Sequence, residues 1–427
     1  MRRPESADPR APSRNLARMT QHVTAAAAIV DELAAAGVDH VFTVPGESFL
    51  GVLDELYDRP DIRVVTTRHE GGAAFMAEAY GALTRRPAVC AGTRAVGAGN
   101  LAIGIHTALQ DSTPMVALLG QVSSAARGRE AFQEADLEAM LGTMTVWAHE
   151  PTTAAGLGPA AREAGRRALA GRQGPTALIV REDLLAQPVA PQQAAPVLTE
   201  RPRPTSAQVS QALTMLADAE RPVLLVGLDV VASDATELAV AFAERHGLPV
   251  VGIWRRPDAF PNDHSHWVGQ AGLSRLPCVA DVLAEADVWF VVGDRLDENT
   301  LAGYSMPRPD TRLVHVHLGE PTGELPIRSG AREFLAAALD RPAPGVAPEP
   351  GTRHTERLER VARLRATWER QSTPPPPRAV AEGCVDHNLV VTELARVLTP
   401  ETVVVLDAGN FTGWAARYLR LTKPGTF

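Results

Sequence analysis

The sequence contains few cysteines and few aromatic residues. Cysteine occurs three times in 427 residues, and Cys90, Cys278 and Cys384 have neither the spacing of a disulfide framework nor that of a zinc site. We therefore expect a protein of the reducing cytoplasm with no cysteine metal site. Aromatic residues make up 5% of the chain and apolar residues 45%, a balance that favours helices packed on buried parallel strands.

The sequence also lacks long apolar runs and large basic blocks. No apolar run is long enough to cross a bilayer. The Arg-rich stretch from Met1 to Arg18 has no apolar core of the kind found in secretory signals, so we interpret it as a flexible tail or an over-extended start codon. The net charge of −8 argues against nucleic acid as a partner, and we expect no membrane partner either.

Apolar runs alternate with helical patterns, which predicts an α/β fold of successive open parallel-sheet domains. The predicted domains cover residues 19–188 and 205–340, with a Pro-, Gln- and Ala-rich linker at 189–204. In the first domain, strands are predicted at residues 38–44, 62–66 (as a buried strand), 88–92, 115–119 and 176–180. In the second domain, strands are predicted at residues 222–227, 248–252, 288–293 and, as the last one, 313–318.

A third domain begins near the end of the sequence. Residues 341–378 are predicted to form a Pro-rich linker that contains a helix at 355–370. Residues 379–427 carry a predicted helix, a strand at 402–406 and a second helix. Because one strand cannot make a stable core alone, we expect this third domain to be incomplete.

One acidic side chain stands where a predicted strand gives way to a helix. Glu70 would lie at the positive end of the helix dipole, and the neighbouring Gly71 and Gly72 let another molecule approach the backbone. The carboxylate is therefore aimed at a bound group, or it is a solvated acid that only stabilises the helix start. Since ligands of open α/β sheets bind beyond the carboxyl ends of the strands, the loops at Pro45 and Gln121 could share a crevice with Glu70.

Three segments resemble the thiamine-diphosphate enzymes of the acetolactate synthase and 2-keto acid decarboxylase type. Arg68–Ala74 is similar to the R-H-E-x-x-A segment of that family. Gly120–Val122 and Glu130–Glu134 are similar to two further segments at the expected places in the order. The resemblance begins near Val23 and continues to the end of the sequence, so it is more specific than a lone motif. It implies a pyrimidine-binding domain, a central domain and the start of a diphosphate-binding domain.

The resemblance also implies roles for individual residues. It implies that Glu70 is catalytic and hydrogen-bonds the aminopyrimidine ring of thiamine diphosphate. The residues implied to contact the cofactor are Pro45, Gly46, Gly97, Asn100, Gln121 and Asn410. The residues implied to face the substrate, a 2-keto acid, are Phe132, Gln133 and Arg94. In the family the site lies between subunits, which implies a homodimer or homotetramer.

The glycine-rich segment departs from the family pattern at Arg94. The Ser-Gly-Pro-Gly-x-x-Asn loop of the family is here Arg94–Asn100, which keeps Gly97 and Asn100 but neither the earlier glycine nor the proline. We predict a glycine-rich turn at residues 97–100 that opens a helix at Leu101. Arg94 is interpreted either as a group that meets an anionic substrate or as a surface residue of a loop.

Two further cofactors follow from the resemblance. In acetolactate synthases the central domain binds FAD, which makes FAD possible here, although Gly293–Asp297 lacks the glycine spacing of a dinucleotide fingerprint. In the family, Gly-Asp-Gly and paired asparagines hold magnesium against the diphosphate. Neither pattern occurs in this sequence, so the implied Mg²⁺ ligands lie outside this chain and no metal-binding residue is assigned within it.

Three hypotheses remain open at this point. The chain is a C-terminally truncated fragment or one piece of a thiamine-dependent carboligase or decarboxylase. Alternatively, it is a non-catalytic binding or assembly subunit that retains the first two domains. The third hypothesis treats the central domain as an independent nucleotide binder.

Overall fold

The computed structural model describes residues 22–341, 352–407 and 409–427. The chain divides between Glu200 and Arg201 into two compact units. The predicted tail at residues 1–18 and residues 342–351 of the predicted Pro-rich linker lie outside the described residues. Among the described helices, none is both long enough and apolar enough to cross a bilayer, and the expected cytoplasmic location stays a prediction.

The first unit is an open α/β sheet. Its strands are β1 (Val23–Thr24), β2 (His40–Thr43), β3 (Arg63–Thr66), β4 (Ala88–Thr93), β5 (Met115–Gln121), β6 (Trp147–His149), β7 (Pro175–Arg181) and β8 (Pro188–Val189). Its helices are α1 (Ala25–Ala35), α2 (Leu50–Tyr57), α3 (Glu70–Thr84), α4 (Arg94–Asp111), α5 (Leu137–Gly142), α6 (Ala154–Leu169) and α7 (Glu182–Leu185). Six strands form a sheet in the order β3-β2-β4-β5-β7-β6, every neighbouring pair of which is parallel. Strands β1 and β8 pair separately and antiparallel.

The core of the first unit consists of two helical layers on the two faces of this sheet. All seven residues of β5 are buried, and they alternate between the layers. Val116 and Leu118 pack with α1, α2 and α6, whereas Met115, Ala117 and Leu119 pack with α3, α4 and α5. Burying one such aliphatic side chain contributes about 1.5–3 kcal/mol, so the central strands fix where their carboxyl ends lie.

Helix α1 shows how local sequence sets an element boundary. The Oγ1 atom of Thr24 accepts a hydrogen bond of 2.9 Å from the backbone N–H of Ala27, which satisfies one of the free donors at the helix start. Gly37 follows the helix with a φ of +93°, a conformation that glycine adopts without strain. Thr24 is therefore the N-cap of α1.

Two expectations for the first unit are wrong. Strand β3 was expected to be buried, but it is an edge strand that pairs with β2, and Arg63, Val64 and Thr66 are exposed. The turn expected at residues 97–100 lies inside α4, which begins at Arg94. A methyl group built on Gly97 would lie 2.9 Å from the carbonyl carbon of Gly92, so the glycines let the helix start directly against the end of β4.

The second unit contains another open parallel sheet. Its strands are β9 (Pro222–Val226), β10 (Val250–Gly252), β11 (Trp267–Gln270), β12 (Val288–Val292), β13 (Arg312–His317) and β14 (Leu325–Arg328). Its helices are α8 (Ser206–Asp218), α9 (Leu228–Ala232), α10 (Thr236–His246), α11 (Pro277–Glu285), α12 (Ala331–Leu339), α13 (Thr352–Gln371), α14 (His387–Val397) and α15 (Thr412–Tyr418). The strand order is β11-β10-β9-β12-β13-β14, and β9 and β12 are fully buried at its centre. The predicted fold class, α/β with successive parallel sheets, is therefore confirmed.

The second unit also corrects three expectations. Strands β11 and β14 were not predicted, and β14 extends the sheet beyond the strand expected to be the last. The strand expected at residues 402–406 does not form. Val403 and Val405 are 52% and 87% exposed, and the backbone N–H of Val404 bonds the carbonyl of Thr426 instead of a neighbouring strand. A strand without a partner leaves its backbone groups unpaired, which explains why this apolar run stays irregular.

Helix α13 is attached to the second unit by a buried arginine. The guanidinium of Arg357, which is 8% exposed, donates hydrogen bonds to the carbonyls of Leu216, Ala219 and His246. These carbonyls lie at the carboxyl ends of α8 and α10, where helices leave acceptors unpaired. One arginine side chain therefore donates hydrogen bonds to carbonyls at the ends of two helices.

Candidate functional site

Glu70 is the first residue of α3 and follows strand β3. His69 precedes it as the N-cap, and its Nδ1 atom accepts a hydrogen bond of 3.0 Å from the backbone N–H of Gly71. Glu70 as a residue is half-buried, and the hydrogen bond that its carboxylate forms with Asn100 is exposed. A negative charge here is favoured by the partial positive charge of the helix start, so the acid lies at the carboxyl edge of the first sheet, as the sequence predicted.

Helix α4 brings two of the predicted cofactor residues to Glu70. The Nδ2 atom of Asn100 donates a hydrogen bond of 2.9 Å to Oε2 of Glu70. A methyl group built on Gly97 would lie 3.7 Å from Oε1, so the glycine leaves the second carboxylate oxygen uncrowded. A methyl group on Gly104 would lie 2.4 Å from Cβ of Ala74, so the two helices cross with almost no side chain between them.

The segment that contains Pro45 and Gly46 lies directly on the ends of two strands. A methyl group on Gly46 would lie 1.6 Å from Oγ1 of Thr93, and one on Gly120 would lie 2.1 Å from Oγ of Ser48. Thr93 and Gly120 are register partners in β4 and β5. The close approach therefore depends on the absence of a side chain at both glycines.

Gln121 is fully buried at the end of β5, and its amide is used within the chain. Nε2 donates a hydrogen bond of 2.9 Å to the carbonyl of Ala135, and Oε1 accepts one of 2.9 Å from the backbone N–H of Val122. These bonds fix the start of the loop after β5. Contact between Gln121 and a cofactor stays a prediction.

Arg94 does not lie in a surface loop. It is the first residue of α4, and its side chain is 10% exposed. Its Nη2 atom lies 3.0 Å from Oε2 of Glu182 and 3.4 Å from Oε1 of Glu47. The interpretation of Arg94 as a surface residue is therefore wrong, because its own side chain is buried and pairs with two carboxylates.

Phe132 and Gln133 lie in the loop between β5 and α5. The ring of Phe132 is 74% exposed, and Gln133 has a φ of +61°. Glu134 stabilises this loop, since its carboxylate accepts hydrogen bonds from the backbone N–H groups of Gly128 and Ala131 and from Arg127. The bond from Gly128 and that from Arg127 lower the pKa of Glu134 to about 2.

A buried ion-pair network beside this loop was missed by sequence reasoning. Glu150 is 8% exposed and binds Arg127 at 2.7 Å and Arg181 at 2.8 Å. Burial opposes its ionisation, but the hydrogen bonds from the two arginines outweigh that effect and lower the pKa of Glu150. These residues are far apart in sequence and carry no motif, so no local signal could have joined them.

Asn410 belongs to the second unit. It is exposed, and its carbonyl accepts a hydrogen bond of 3.2 Å from the backbone N–H of Gly413 at the start of α15. Its predicted role at the cofactor stays a prediction. Among the described residues, no group of His, Cys, Asp or Glu side chains has an arrangement that could hold a metal ion.

The carboxyl edge of the second sheet can be compared with a dinucleotide site. Such sites bind the pyrophosphate through free backbone N–H groups at helix starts. Here the carboxylate of Asp294 accepts hydrogen bonds from the N–H groups of Leu228, at 3.0 Å, and Arg295, at 2.8 Å. Leu228 is the first residue of α9, so an internal anion already lies at this helix start.

The neighbouring helix start is occupied in the same way. Asp229 accepts a hydrogen bond of 2.7 Å from the backbone N–H of Ala331, the first residue of α12. Arg201 donates to both carboxylate oxygens of Asp229 at 2.7 Å. A methyl group built on Gly227 would lie 2.3 Å from Cβ of Asp294, so the gap between β9 and β12 is filled. These residues do not fit an FAD pyrophosphate.

The residues around Glu70 do fit thiamine diphosphate. Glu70 is a half-buried acid at a helix start that accepts a hydrogen bond from the amide of Asn100 and lies beside Gly97. Such an acid can share a proton with a ring nitrogen. This arrangement fits an α/β domain that binds the aminopyrimidine side of that cofactor.

Comparisons with known proteins agree with this assignment. Residues 23–140 match the model described as "Thiamine pyrophosphate enzyme, N-terminal TPP binding domain", and residues 209–337 match the corresponding central domain. The chain is 31% identical to the acetolactate synthase large subunit of Corynebacterium glutamicum, over 97% of this chain and 67% of that protein. It is 29% identical to the acetolactate synthase of Mycobacterium bovis, over 95% and 66%. It is 31% identical to the large subunit from Parasynechococcus marenigrum, over 95% and 66%.

The chain therefore belongs to the thiamine-pyrophosphate-dependent enzymes and, within them, to the acetolactate synthase-like group. It spans about two thirds of the length of these relatives.

Proposed function

We propose that this chain supplies the aminopyrimidine-binding part of an enzyme that decarboxylates or ligates 2-keto acids. The observation that carries the proposal is the position of Glu70 at the start of α3, with Oε2 bound to Asn100 and Oε1 beside Gly97. Thiamine diphosphate, when bound, supplies the nucleophilic carbon that amino-acid side chains lack. The names of the relatives, acetolactate synthases, support the choice of reaction class.

In this proposal Glu70 holds and returns one proton at the ring nitrogen of the aminopyrimidine. Asn100 orients the carboxylate through its 2.9 Å hydrogen bond, and the helix start favours its negative charge. Pro45, Gly46 and Gly97 would border the ring, because glycine backbone allows a flat group to approach closely. Proton transfer by a positioned carboxylate typically contributes 10²–10⁴-fold to a rate.

On the substrate side, we propose that Phe132 and Gln133 border the 2-keto acid. Their loop is fixed by Glu134, while the ring of Phe132 stays exposed. An apolar ring at the mouth of the site would limit access of water to the reacting carbon.

A subunit interface is proposed beside the site. Helices α3 and α4 expose Phe75, Met76, Val96 and Ile103, with exposures between 42% and 61%. Apolar side chains grouped on the helices that also carry Glu70 and Asn100 support a homodimer or homotetramer formed through this face. The Mg²⁺ that accompanies the diphosphate would be held by residues other than those of this chain, as the resemblance implies.

For the central domain we propose that it works without FAD. The anion positions at its sheet edge are taken by Asp294 and Asp229, so a pyrophosphate would meet like charges where it needs free N–H donors. The purified chain should show no flavin absorption band, and titration with FAD or ADP, followed by calorimetry, should give no saturable signal. Stoichiometric flavin in the purified protein would show that the proposal is wrong.

The alternative function is that of a non-catalytic binding or assembly subunit. The assembly role has one observation in its favour, since α14 exposes Leu394 and Val397 at 45% and 70%, a face that a full-length relative could cover. Co-purification with a full-length acetolactate synthase, without any binding of thiamine diphosphate, would support the assembly role over the catalytic one.

The catalytic proposal is tested by supplying a diphosphate-binding partner chain together with thiamine diphosphate, Mg²⁺ and pyruvate. We expect Glu70→Gln to lower turnover of the reconstituted enzyme by about 10²-fold or more. Glu237→Gln is a matched control, because Glu237 is an exposed acid in the first turn of α10. If Glu70→Gln turns over as fast as this control, the proposed role of Glu70 is wrong.

A further inference from the structure

Arg94 lies at the junction between β4 and α4 with an unusual backbone. Its φ is +49°, in the left-handed region that non-glycine residues rarely adopt. A conformation of this kind costs about 1–3 kcal/mol and persists only where the surroundings fix it. The contacts of the side chain show what fixes it.

The guanidinium of Arg94 reaches segments that follow three other strands. Nη1 donates a hydrogen bond of 3.2 Å to the carbonyl of Phe132, in the loop after β5. Nη2 donates one of 3.0 Å to Glu182, the first residue of α7 after β7, and lies 3.4 Å from Glu47, in the turn after β2. One side chain from the end of β4 therefore connects the ends of β2, β5 and β7.

The backbone next to Arg94 strengthens the same connection. The N–H of Ala95 donates a hydrogen bond of 3.2 Å to the carbonyl of Gln133. The loop that carries Phe132 and Gln133 is thus held twice, by the side chain of Arg94 and by the backbone that follows it. The same helix also places Gly97 and Asn100 beside Glu70. The start of α4 therefore fixes the position of this loop relative to Glu70.

The charges around Arg94 leave no place for a substrate carboxylate. Glu47 and Glu182 bring two negative charges to one guanidinium, so a further anion would be repelled. The Nε atom is buried and has no hydrogen-bond partner within the described chain, and it is therefore out of reach from solvent. An arginine that binds a carboxylate normally offers two free, parallel N–H groups.

We infer that Arg94 is a positioning residue: it fixes the loop of Phe132 and Gln133 against the start of α4, and it does not bind the carboxylate of the substrate. The inference rests on the proposed function, because it assigns how the proposed substrate loop is held in place. It replaces the role of substrate contact first expected for Arg94.

The first test uses the chain alone and needs no activity. Hydrogen exchange followed by mass spectrometry should show at least tenfold faster exchange in peptides covering residues 95–100 and 128–136 of Arg94→Gln. Glu182→Gln keeps the arginine and should give a smaller change in the same peptides. Arg167→Gln, which removes an exposed arginine of α6, is the control and should leave both peptides unchanged.

Arg94→Lys separates geometry from charge in the same experiment. A lysine ammonium is a single point charge and cannot span three partners as a guanidinium does. We therefore expect the two peptides of Arg94→Lys to exchange nearly as fast as those of Arg94→Gln. Wild-type exchange in both Arg94→Gln and Arg94→Lys would overturn the inference.

The second test uses the reconstituted enzyme and 2-keto acid kinetics. A positioning role predicts that Arg94→Gln lowers kcat about tenfold while KM changes less than threefold. A tenfold rise in KM with unchanged kcat would assign Arg94 to substrate binding and overturn the inference. If the enzyme has no thiamine-dependent activity at all, the proposed function fails, whereas the exchange result still decides whether Arg94 holds the loop.

Discussion

The side-chain amide of Asn100 lies 2.9 Å from Oε2 of Glu70, which places one residue of α4 on the acid that begins α3. The two residues are thirty positions apart in sequence. The hydrogen bond occupies Oε2, whereas Oε1 lies near Gly97, where an added methyl group would be 3.7 Å from it. Asn100 therefore orients the carboxylate of Glu70 and leaves Oε1 for a ligand.

Removing the Asn100 side-chain amide should impair the orientation of Glu70 but leave its carboxylate in place. We expect Asn100→Ala to lower turnover of the reconstituted enzyme by about 10- to 100-fold, since a hydrogen bond to a charged group contributes about 1.5–3 kcal/mol. Asn100→Asp should be more severe, because a second carboxylate would face Glu70. Steady-state kinetics with 2-keto acid and thiamine diphosphate measure both. His106→Ala is the control, because His106 is an exposed residue of the same helix. Equal rates for Asn100→Ala and His106→Ala would exclude the proposal that Asn100 orients Glu70.

The packing of Ser48 on Gly120 predicts a large effect of one methyl group. In Gly120→Ala the new methyl would lie 2.1 Å from Oγ and 2.7 Å from the carbonyl carbon of Ser48, and such overpacking costs about 1–3 kcal/mol or more. Denaturant unfolding of the chain should show a lower midpoint. Gly142→Ala is the matched control, because no atom lies within 4 Å of that added methyl. Equal midpoints for the two variants would mean that residues 46–48 move away freely.

The buried carboxyl of Asp294 predicts a pH dependence of stability. Burial raises its pKa to about 6 from 3.8, so the folded chain binds this proton more tightly than the unfolded chain does. The resulting stabilisation is complete below pH 3.8 and is lost as the pH rises through 6. One pKa unit corresponds to about 1.4 kcal/mol. Asp294→Asn should therefore gain about 2 kcal/mol relative to wild type between pH 4 and pH 7, because part of the full difference is already lost at pH 4.

Denaturant unfolding at several pH values between 4 and 7 measures that difference for Asp294. Asp310→Asn serves as control, because Asp310 is an exposed acid in the same unit, and its stability relative to wild type should change little with pH. A difference between Asp294→Asn and wild type that stays constant over this range would contradict the burial of an ionisable carboxyl.

Arg357 predicts how firmly α13 is attached. Its guanidinium donates hydrogen bonds to carbonyls at the ends of α8 and α10, and burial lowers its pKa. Arg357→Ala leaves those acceptors unpaired and should reduce the free energy of unfolding by about 2–4 kcal/mol. Arg363→Ala, on the exposed face of the same helix, should change it by less than about 0.5 kcal/mol. Thermal and denaturant unfolding compare the two variants. A similarly small loss of stability in both would show that water replaces Arg357 as the hydrogen-bond donor to these carbonyls.

Local sequence was sufficient where a motif and an element boundary coincide. Glu70 follows a strand and begins a helix, and its neighbours match a specific family segment, so its place could be predicted. Gly97 and Asn100 lie beside Glu70, but the local structure predicted for them was wrong. Glycines usually indicate a turn, yet here they permit contact between α4 and Gly92, and tertiary packing overrides propensity.

Other parts of the site depend on contacts that no sequence window contains. The two glutamates on Arg94 lie at positions 47 and 182, on either side of it in the chain, and neither belongs to a recognisable pattern. Strand β11 contains Gly269 with a φ of +120°, which weakens any strand signal. The apolar run at 402–406 has a good strand pattern, but a strand also needs a neighbour, which sequence periodicity does not report.

The close crossing of α3 and α4 at Ala74 and Gly104 has a consequence for how such an enzyme can diverge. The small size of both residues sets the separation of the two helices that carry Glu70 and Asn100. A methyl group added at position 104 would push these helices apart and move Asn100 relative to Glu70. The geometry at Glu70 can therefore be altered by changing a residue outside its own contacts.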